Sequence, residues 1–266
     1  MPSPATAGTP TPPPPSPRTD AALERLVRER LGADAPHYAV VVEDLRDGRR
    51  VAVDPDRVFY AASLFKLEVM YEVFHQRAAG VLNFDEEFIA SDYYSGFDLG
   101  PHLIAPCERA SVRRLLGAMM SVSDNVAAVM LQDRAGAGNI NNAMAALGLT
   151  QTRLTEDGSL PATAGDLARL VEAIARGEAG AAATSEMLDL MVTEELSDRI
   201  PARLPAGTRV AHKTGNFDAA THDAGVVFGK KGTYVMVLMS DIGFDSNAGS
   251  VEADIAKIAF DYFEGS

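Results

Sequence analysis

The sequence predicts an α/β fold carrying an all-α lobe: one antiparallel sheet, flanked by N- and C-terminal helices, with a helical lobe inserted between its two halves. Three observations lead there. β-Branched runs sit at the two ends of the chain, Tyr38 to Val42 and Arg50 to Val53 at one, Arg209 to Thr214, Ala224 to Phe228 and Tyr234 to Ser240 at the other. Between Ser63 and about Leu196 the apolar residues recur at helical spacing. Helical patterns bracket the whole, at Ala21 to Leu31 and Val251 to Phe263. A sheet built from both ends must close around whatever lies between them. The expected boundaries are a tail over 1–20, a sheet lobe over 21–60 and 199–266, and a helical lobe over 61–198, all in a single domain.

Each element has a local reason. Thr19-Asp20 is a helix cap before the apolar positions Leu23, Val27 and Leu31, and Gly32 stops that helix. Asp47-Gly48 is a hairpin signal between the first two strands. An extended segment rich in Val and Tyr leads into Ser63, where a helix opens and runs to a stop at Gly80. Ser111 caps a helix through Met120. Asn125 to Ala135 is the next, broken by Gly136 and Gly138, and Ile140 to Leu147 follows, closed by Gly148. Thr163 begins a fourth with Leu167, Leu170, Val171 and Ile174 on one face, and Ser185 a fifth through Val192. Lys230-Lys231-Gly232 is the tight turn between the last two strands. There is no internal repeat.

Composition removes several classes of function. The 266 residues carry 24 Lys and Arg against 37 Asp and Glu, a net charge of −13, and the pI is about 4.8. That balance argues against nucleic acid or an anionic membrane surface as a partner, and for a self-repelling monomer. No apolar run reaches membrane-spanning length. The single cysteine, Cys107, excludes an intramolecular disulfide and reads as a buried or half-buried structural thiol. The five histidines, His37, His75, His102, His212 and His222, lack metal-ligand spacing, so neither metal nor other cofactor is expected. The first twenty residues, with Thr-Pro-Thr-Pro-Pro-Pro-Pro-Ser-Pro, form a low-complexity stretch expected to be a linker. No signal peptide is visible, and two readings stand: an envelope tether for a secreted or periplasmic protein, or a cytoplasmic protein's own extension.

The chemistry is concentrated in three short motifs. Ser63 and Lys66 lie three residues apart at a helix start, so they share a face. The unpaired N–H groups and the dipole of that terminus favour developing negative charge. A partly neutral lysine one turn on can take the hydroxyl proton and make the serine a nucleophile. Alone this proves little, since roughly one Ser-x-x-Lys arises by chance in a chain of this size. Ser123-Asp124-Asn125 lies between two helices, and Lys213-Thr214-Gly215 ends a strand. By chance each tripeptide should occur only a few hundredths of a time. All three in this order, each on the right kind of element, form a joint signal.

These motifs resemble those of class A β-lactamases and penicillin-binding proteins, and the resemblance runs from about residue 20 to the end. It implies a two-lobed fold with the site at the seam. By motif, Ser63 resembles the acylated nucleophile, Lys66 its proton acceptor, and Ser123 the hydroxyl that relays a proton to the leaving nitrogen. Asn125 resembles the residue holding the substrate's side-chain amide. Lys213 and Thr214, with Gly215, resemble the substrate-carboxylate clamp, and the backbone N–H groups of Ser63 and Asn216 the oxyanion hole. The implied partner is a small acyl substrate, a β-lactam or a peptide or ester. A D,D-peptidase or esterase, or a module that acylates without turnover, would share the same scaffold.

Two departures stand out. Class A β-lactamases carry a Glu-x-x-x-Asn stretch whose glutamate activates the hydrolytic water. Here the matching region, Leu149 to Pro161, is shorter and lacks the pattern, and whether Glu156 or Asp157 substitutes stays open. Family members often have an arginine after Lys-Thr-Gly. No arginine follows Arg209, and His222 either takes that role or is a strand-edge histidine. Carboxylate recognition is therefore expected to be weak.

Overall fold

The Val-rich ends of the chain do pair into one sheet, and the helices between them pack on one side of it, while Ile200 and Leu204 join the layer on the other. The computed structural model describes residues 16–97 and 99–265; the Pro-rich stretch expected to be a linker lies largely outside them. In chain order the elements are β1 (Arg18–Thr19), α1 (Ala21–Leu31), β2 (Tyr38–Asp44), β3 (Arg49–Val53), β4 (Val58–Tyr60) and α2 (Phe65–Ala78). There follow β5 (Glu87–Ile89), β6 (Arg109–Ser111), α3 (Val112–Ser121), α4 (Asn125–Ala135), α5 (Ala137–Ala146), β7 (Pro161–Thr163), α6 (Ala164–Arg176) and α7 (Ala181–Val192). The chain ends with β8 (Arg209–Phe217), β9 (Ala220–Phe228), β10 (Thr233–Ser240) and α8 (Ala248–Gly265).

The main sheet has the order β1-β3-β2-β10-β9-β8. All its pairs are antiparallel except β1 with β3, where Arg18 and Thr19 run parallel to Arg49 and Arg50. The sheet is thus mixed at one edge, and part of the expected tail is ordered as strand. Such a two-residue pairing leaves no apolar pattern to read. Two further ribbons, β4 with β7 and β5 with β6, are equally short.

The central strands are buried on both faces, which is why they read as continuous apolar runs. Ala39 and Val41 of β2, with Val235, Val237 and Met239 of β10, face the helical lobe. Tyr38, Val40 and Val42, with Tyr234, Met236 and Leu238, face the layer made by α1 and α8. Each face follows the two-residue period of a strand. On the second face Leu23, Val27 and Leu31 of α1 meet Val251, Ile255, Ala259 and Phe263 of α8.

In the helical lobe α2 is buried nearly all round, from Lys66 through Phe74. Its buried positions include Lys66, Glu68, Glu72 and Gln76 as well as apolar residues, and α3, α4, α5, α6 and α7 surround it. Its neighbours start where the sequence places caps: Ser111, Asp124 and Thr163 accept hydrogen bonds from the N–H groups of Arg114, Ala127 and Asp166 at 3.2, 2.8 and 3.1 Å. Cys107 departs from expectation: its thiol is exposed, in a turn with φ +62°.

Two predictions follow from the packing. Gly225 on β9 faces β8 so closely that a Cβ would collide with the Ala211 carbonyl and lie 2.5 Å from His212 Cβ. Gly225→Ala should cost about 2–3 kcal/mol, the scale of overpacking, whereas Gly117→Ala inside α3, where a Cβ meets nothing, should stabilise by about 0.5–1 kcal/mol; urea midpoints read both. Glu68 on α2 is wholly buried, with one carboxylate oxygen unpartnered. Burial, reinforced by the Asp166 charge, pushes its carboxyl up to about 8. Between pH 4.5 and 8 the folded state keeps a proton that the unfolded chain releases, so stability falls as pH rises. Glu68→Gln should flatten that slope in denaturation curves taken at pH 5 and pH 8.

Candidate active site

Three segments meet at the seam between the lobes. The first is the start of α2. Ser63 lies in a single 3-10 turn, Ala62–Leu64, directly before Phe65. Ala62 has φ +46°, a left-handed conformation that costs a residue with a Cβ on the order of 1–3 kcal/mol. The Ala61 N–H donates to Leu160 O at 2.8 Å, and Leu160 is itself left-handed at φ +41°.

Lys66 is wholly buried, one turn beyond Ser63. Four oxygens surround its Nζ: Ser63 Oγ at 3.0 Å, Ser123 Oγ at 2.8 Å, Ser123 O at 2.7 Å and Asn125 Oδ1 at 2.7 Å. The carbonyl and amide oxygens can only accept, while the two hydroxyls can also donate. A neutral amine fits this set well: two N–H groups go to the obligate acceptors, and the lone pair is left for a hydroxyl proton. Burial, and then the nearby Lys213 cation, hold its pKa well below the ordinary lysine value.

The second segment is the turn between α3 and α4. Ser123 has φ +64°, which turns both its hydroxyl and its carbonyl toward Lys66. Asp124 does not face the cleft. Buried, it caps α4 with one oxygen, and with the other it accepts from Leu103 N at 2.6 Å and Ile104 N at 2.9 Å. It thereby pins the loop that carries Leu99 to Pro101. Asn125 Nδ2 donates to Leu99 O at 2.8 Å.

The third segment is β8, an edge strand. Gly215 is required by close approach: a Cβ would lie 3.1 Å from Ala61 O and 3.2 Å from Leu64 Cγ, so only glycine lets β8 close on the Ser63 turn. The Thr214 N–H points out of the sheet edge, to Glu194 Oε2 at 3.3 Å. N–H directions alternate along a strand, so Asn216 N–H also faces outward. That is the direction required of an oxyanion donor beside Ser63.

Lys213 Nζ is buried and ion-paired to Glu194 Oε2. Glu194 had no part in the sequence reading, nor did Arg199. Arg199 is buried; its Nη1 donates to His222 O at 3.1 Å and its Nη2 donates to Asn216 Oδ1. A guanidinium thus stands behind Asn216, supplied from before the Lys-Thr-Gly strand rather than after it. His222 does not offer a free cation. Its Nε2–H donates to Tyr60 O at 2.9 Å, its Nδ1 accepts from Ser240 N–H at 3.1 Å, and burial lowers its pKa to about 4.

Between these segments lies a cleft of about 540 Å³. Ser63, Ser123, Asn125, Thr214 and Asn216 line it; Leu99, Pro101 and Phe244 give it apolar walls. Lys66, Lys213 and Gly215 sit just behind this surface. Glu156 and Asp157 do not line it. Both are exposed, and Asp157 accepts from Ser159 N at 3.0 Å within its own turn. Asp166 ties down the start of that loop, accepting from Gln151 N and Thr152 N at 2.8 Å each. Among the described residues, the only carboxylates lining the cleft are Glu194 and Glu195.

The fold has counterparts among known structures. The structure of PBP-A superposes with a TM-score of 0.88 at 23% identity, covering 96% of this chain and all of that one. A β-lactamase from Sphaerobacter thermophilus gives 0.81 at 22%, with 92% and 97% covered. The TLA-1 extended spectrum β-lactamase gives 0.79 at 21%, with 91% and 98% covered. No curated protein matches the sequence. The family model described as "Beta-lactamase enzyme family" matches residues 20–263, and with nearly the whole chain so covered, the protein belongs to the β-lactamase enzyme family.

Proposed function

We propose that the chain is a serine hydrolase of the β-lactamase type, reacting with β-lactams or related activated acyl compounds through a Ser63 acyl-enzyme whose hydrolysis is the slow step. The observation that carries this reading is one buried amine, Lys66 Nζ, within 3.0 Å of the Ser63 hydroxyl and 2.8 Å of the Ser123 hydroxyl. That placement serves both halves of acyl transfer. Ser63 Oγ bonds to the acyl carbon as its proton passes to Lys66. The carbonyl oxygen takes up the negative charge against the N–H groups of Ser63 and Asn216; losing one such donor typically costs on the order of 10²–10³ in rate. As the C–N bond breaks, the proton returns from Lys66 through Ser123 Oγ to the leaving nitrogen. Asn125 holds an amide of the acyl group near the mouth of the cleft.

Deacylation needs a water activated by a base above the ester. The shortened loop brings no carboxylate there, since Glu156 and Asp157 face solvent. That favours a long-lived acyl-enzyme, and with it a second reading: a D,D-peptidase-like or penicillin-binding role on the same machinery. A variant of PBP-A, which shares the fold, is described as an acyl-enzyme complex with penicillin G.

Mixing the protein with penicillin G and following intact mass over time separates the readings. One adduct carrying the whole mass of the drug should form, since ring opening expels no fragment, and should decay slowly. Ser63→Ala should form none; an adduct on that variant removes the assignment. Fast decay with full turnover would instead mean that a base reaches the ester. The pH dependence tests Lys66. Acylation needs its neutral form, so the rate should rise along a single ionisation centred well below the ordinary lysine pKa near 10.4. Lys213→Ala removes a repelling cation and should move that limb to higher pH; a limb that stays put, or moves down, excludes the proposed coupling.

A further inference from the structure

The clamp expected to hold a substrate carboxylate is already holding one. Glu194 Oε2 accepts from Lys213 Nζ, from Thr214 Oγ1 at 3.2 Å and from Thr214 N at 3.3 Å. Its other oxygen accepts from Leu196 N at 3.2 Å. The carboxylate is thus bonded through both oxygens. Its segment is fixed in place, because Glu195 N–H donates to Ser121 O at the end of α3, at 2.9 Å. Both partners are out of water, with side-chain exposures of 2% for Glu194 and 0% for Lys213.

We infer that Glu194 is a specificity-determining residue: it fills the anion subsite made by Lys213 and Thr214, and directs Ser63 toward acyl donors with no carboxylate at that position, such as neutral esters and amides. The inference rests on Ser63 acyl transfer as proposed above. The physical argument is exclusion. A substrate carboxylate entering here has to share one ammonium and one hydroxyl with a resident carboxylate, or evict it. Sharing leaves two buried anions on a single cation, and opposed like charges in a desolvated contact are strongly unfavourable. Eviction takes from Glu194 the ammonium, hydroxyl and N–H donors it now holds out of water. No cation lines the cleft among the described residues, and the second charged side chain there, Glu195, is also acidic. Arg199 is spent on Asn216 Oδ1 and His222 O. A neutral group meets neither penalty and can still accept from Thr214 Oγ1 when that hydroxyl turns from Glu194.

Penicillin G and its methyl ester differ only in this carboxylate, which makes them the test pair. Second-order acylation rates of Ser63, read by intact mass, should favour the ester by at least about tenfold in the native protein. Glu194→Gln, which keeps the shape and drops the charge, should reverse or erase that preference. Equal rates for the two compounds, or a preference for the free acid, in the native protein would overturn the inference without any variant. Acylation by neither compound and by no p-nitrophenyl ester would count against Ser63 chemistry itself, a distinct outcome. The subsite can then be read without turnover. Glu194→Ala leaves Lys213 and Thr214 facing a carboxylate-sized gap, so acetate should raise that variant's melting temperature saturably while leaving the native protein's unchanged. The same response in both proteins would also overturn the assignment.

Discussion

A buried amine ringed by four oxygens at 2.7–3.0 Å ties this site together. Lys66 belongs to the central helix of one lobe, yet three of its four partners come from the turn that opens α4. The amine therefore fixes the distance between two hydroxyls that must act in sequence. It can do so only because α2 is buried on all sides, which keeps water from competing for those oxygens and makes the neutral amine the cheaper state. The all-round burial of that helix shapes its chemistry as much as its packing.

The strain in the seam follows from the same requirement. Ala62, Ser123 and Leu160 all hold positive φ without being glycine: Ala62 directly precedes Ser63, Ser123 bonds to Lys66, and Leu160 accepts from the Ala61 N–H just before that turn. Regular helix starts would point the two serine hydroxyls along their own axes. Left-handed residues redirect them onto one nitrogen, at a cost of on the order of 1–3 kcal/mol each. The large cores on both faces of the sheet supply the stability against which such local costs are tolerated.

Much of this was legible in the sequence because it is local. Capping side chains marked the starts of α3, α4 and α6, and the apolar runs at the chain ends marked central strands. The three motifs lay on the elements their chemistry needs. What was not legible depends on pairing across distance. Nothing near Glu194 in the chain announces that it will meet Lys213, nineteen residues on. Arg199 looks like a surface arginine in a polar stretch, and only the fold turns it inward under Asn216. The guanidinium near Asn216 comes from before Lys-Thr-Gly in the chain, and His222, whose two readings the sequence leaves open, is locked between Tyr60 and Ser240. The β1 pairing and the two short ribbons are below the length at which periodicity can speak.

Glu194 also sets the two buried lysines apart. Burial lowers both, and the Lys213 cation further disfavours the charge of Lys66. Lys213 touches a carboxylate, whereas Lys66 touches only neutral oxygens. Glu194 compensates a charge on Lys213 directly, whereas burial and the Lys213 cation disfavour the charged form of Lys66. In a site whose clamp waits for a substrate carboxylate, that compensation arrives only with the substrate. Here it is built into the chain, so the base is poised before anything binds. In the proposed mechanism, the contact that fills the anion subsite also holds the Lys213 cation beside Lys66, so substrate range and activation of the serine both depend on one ion pair.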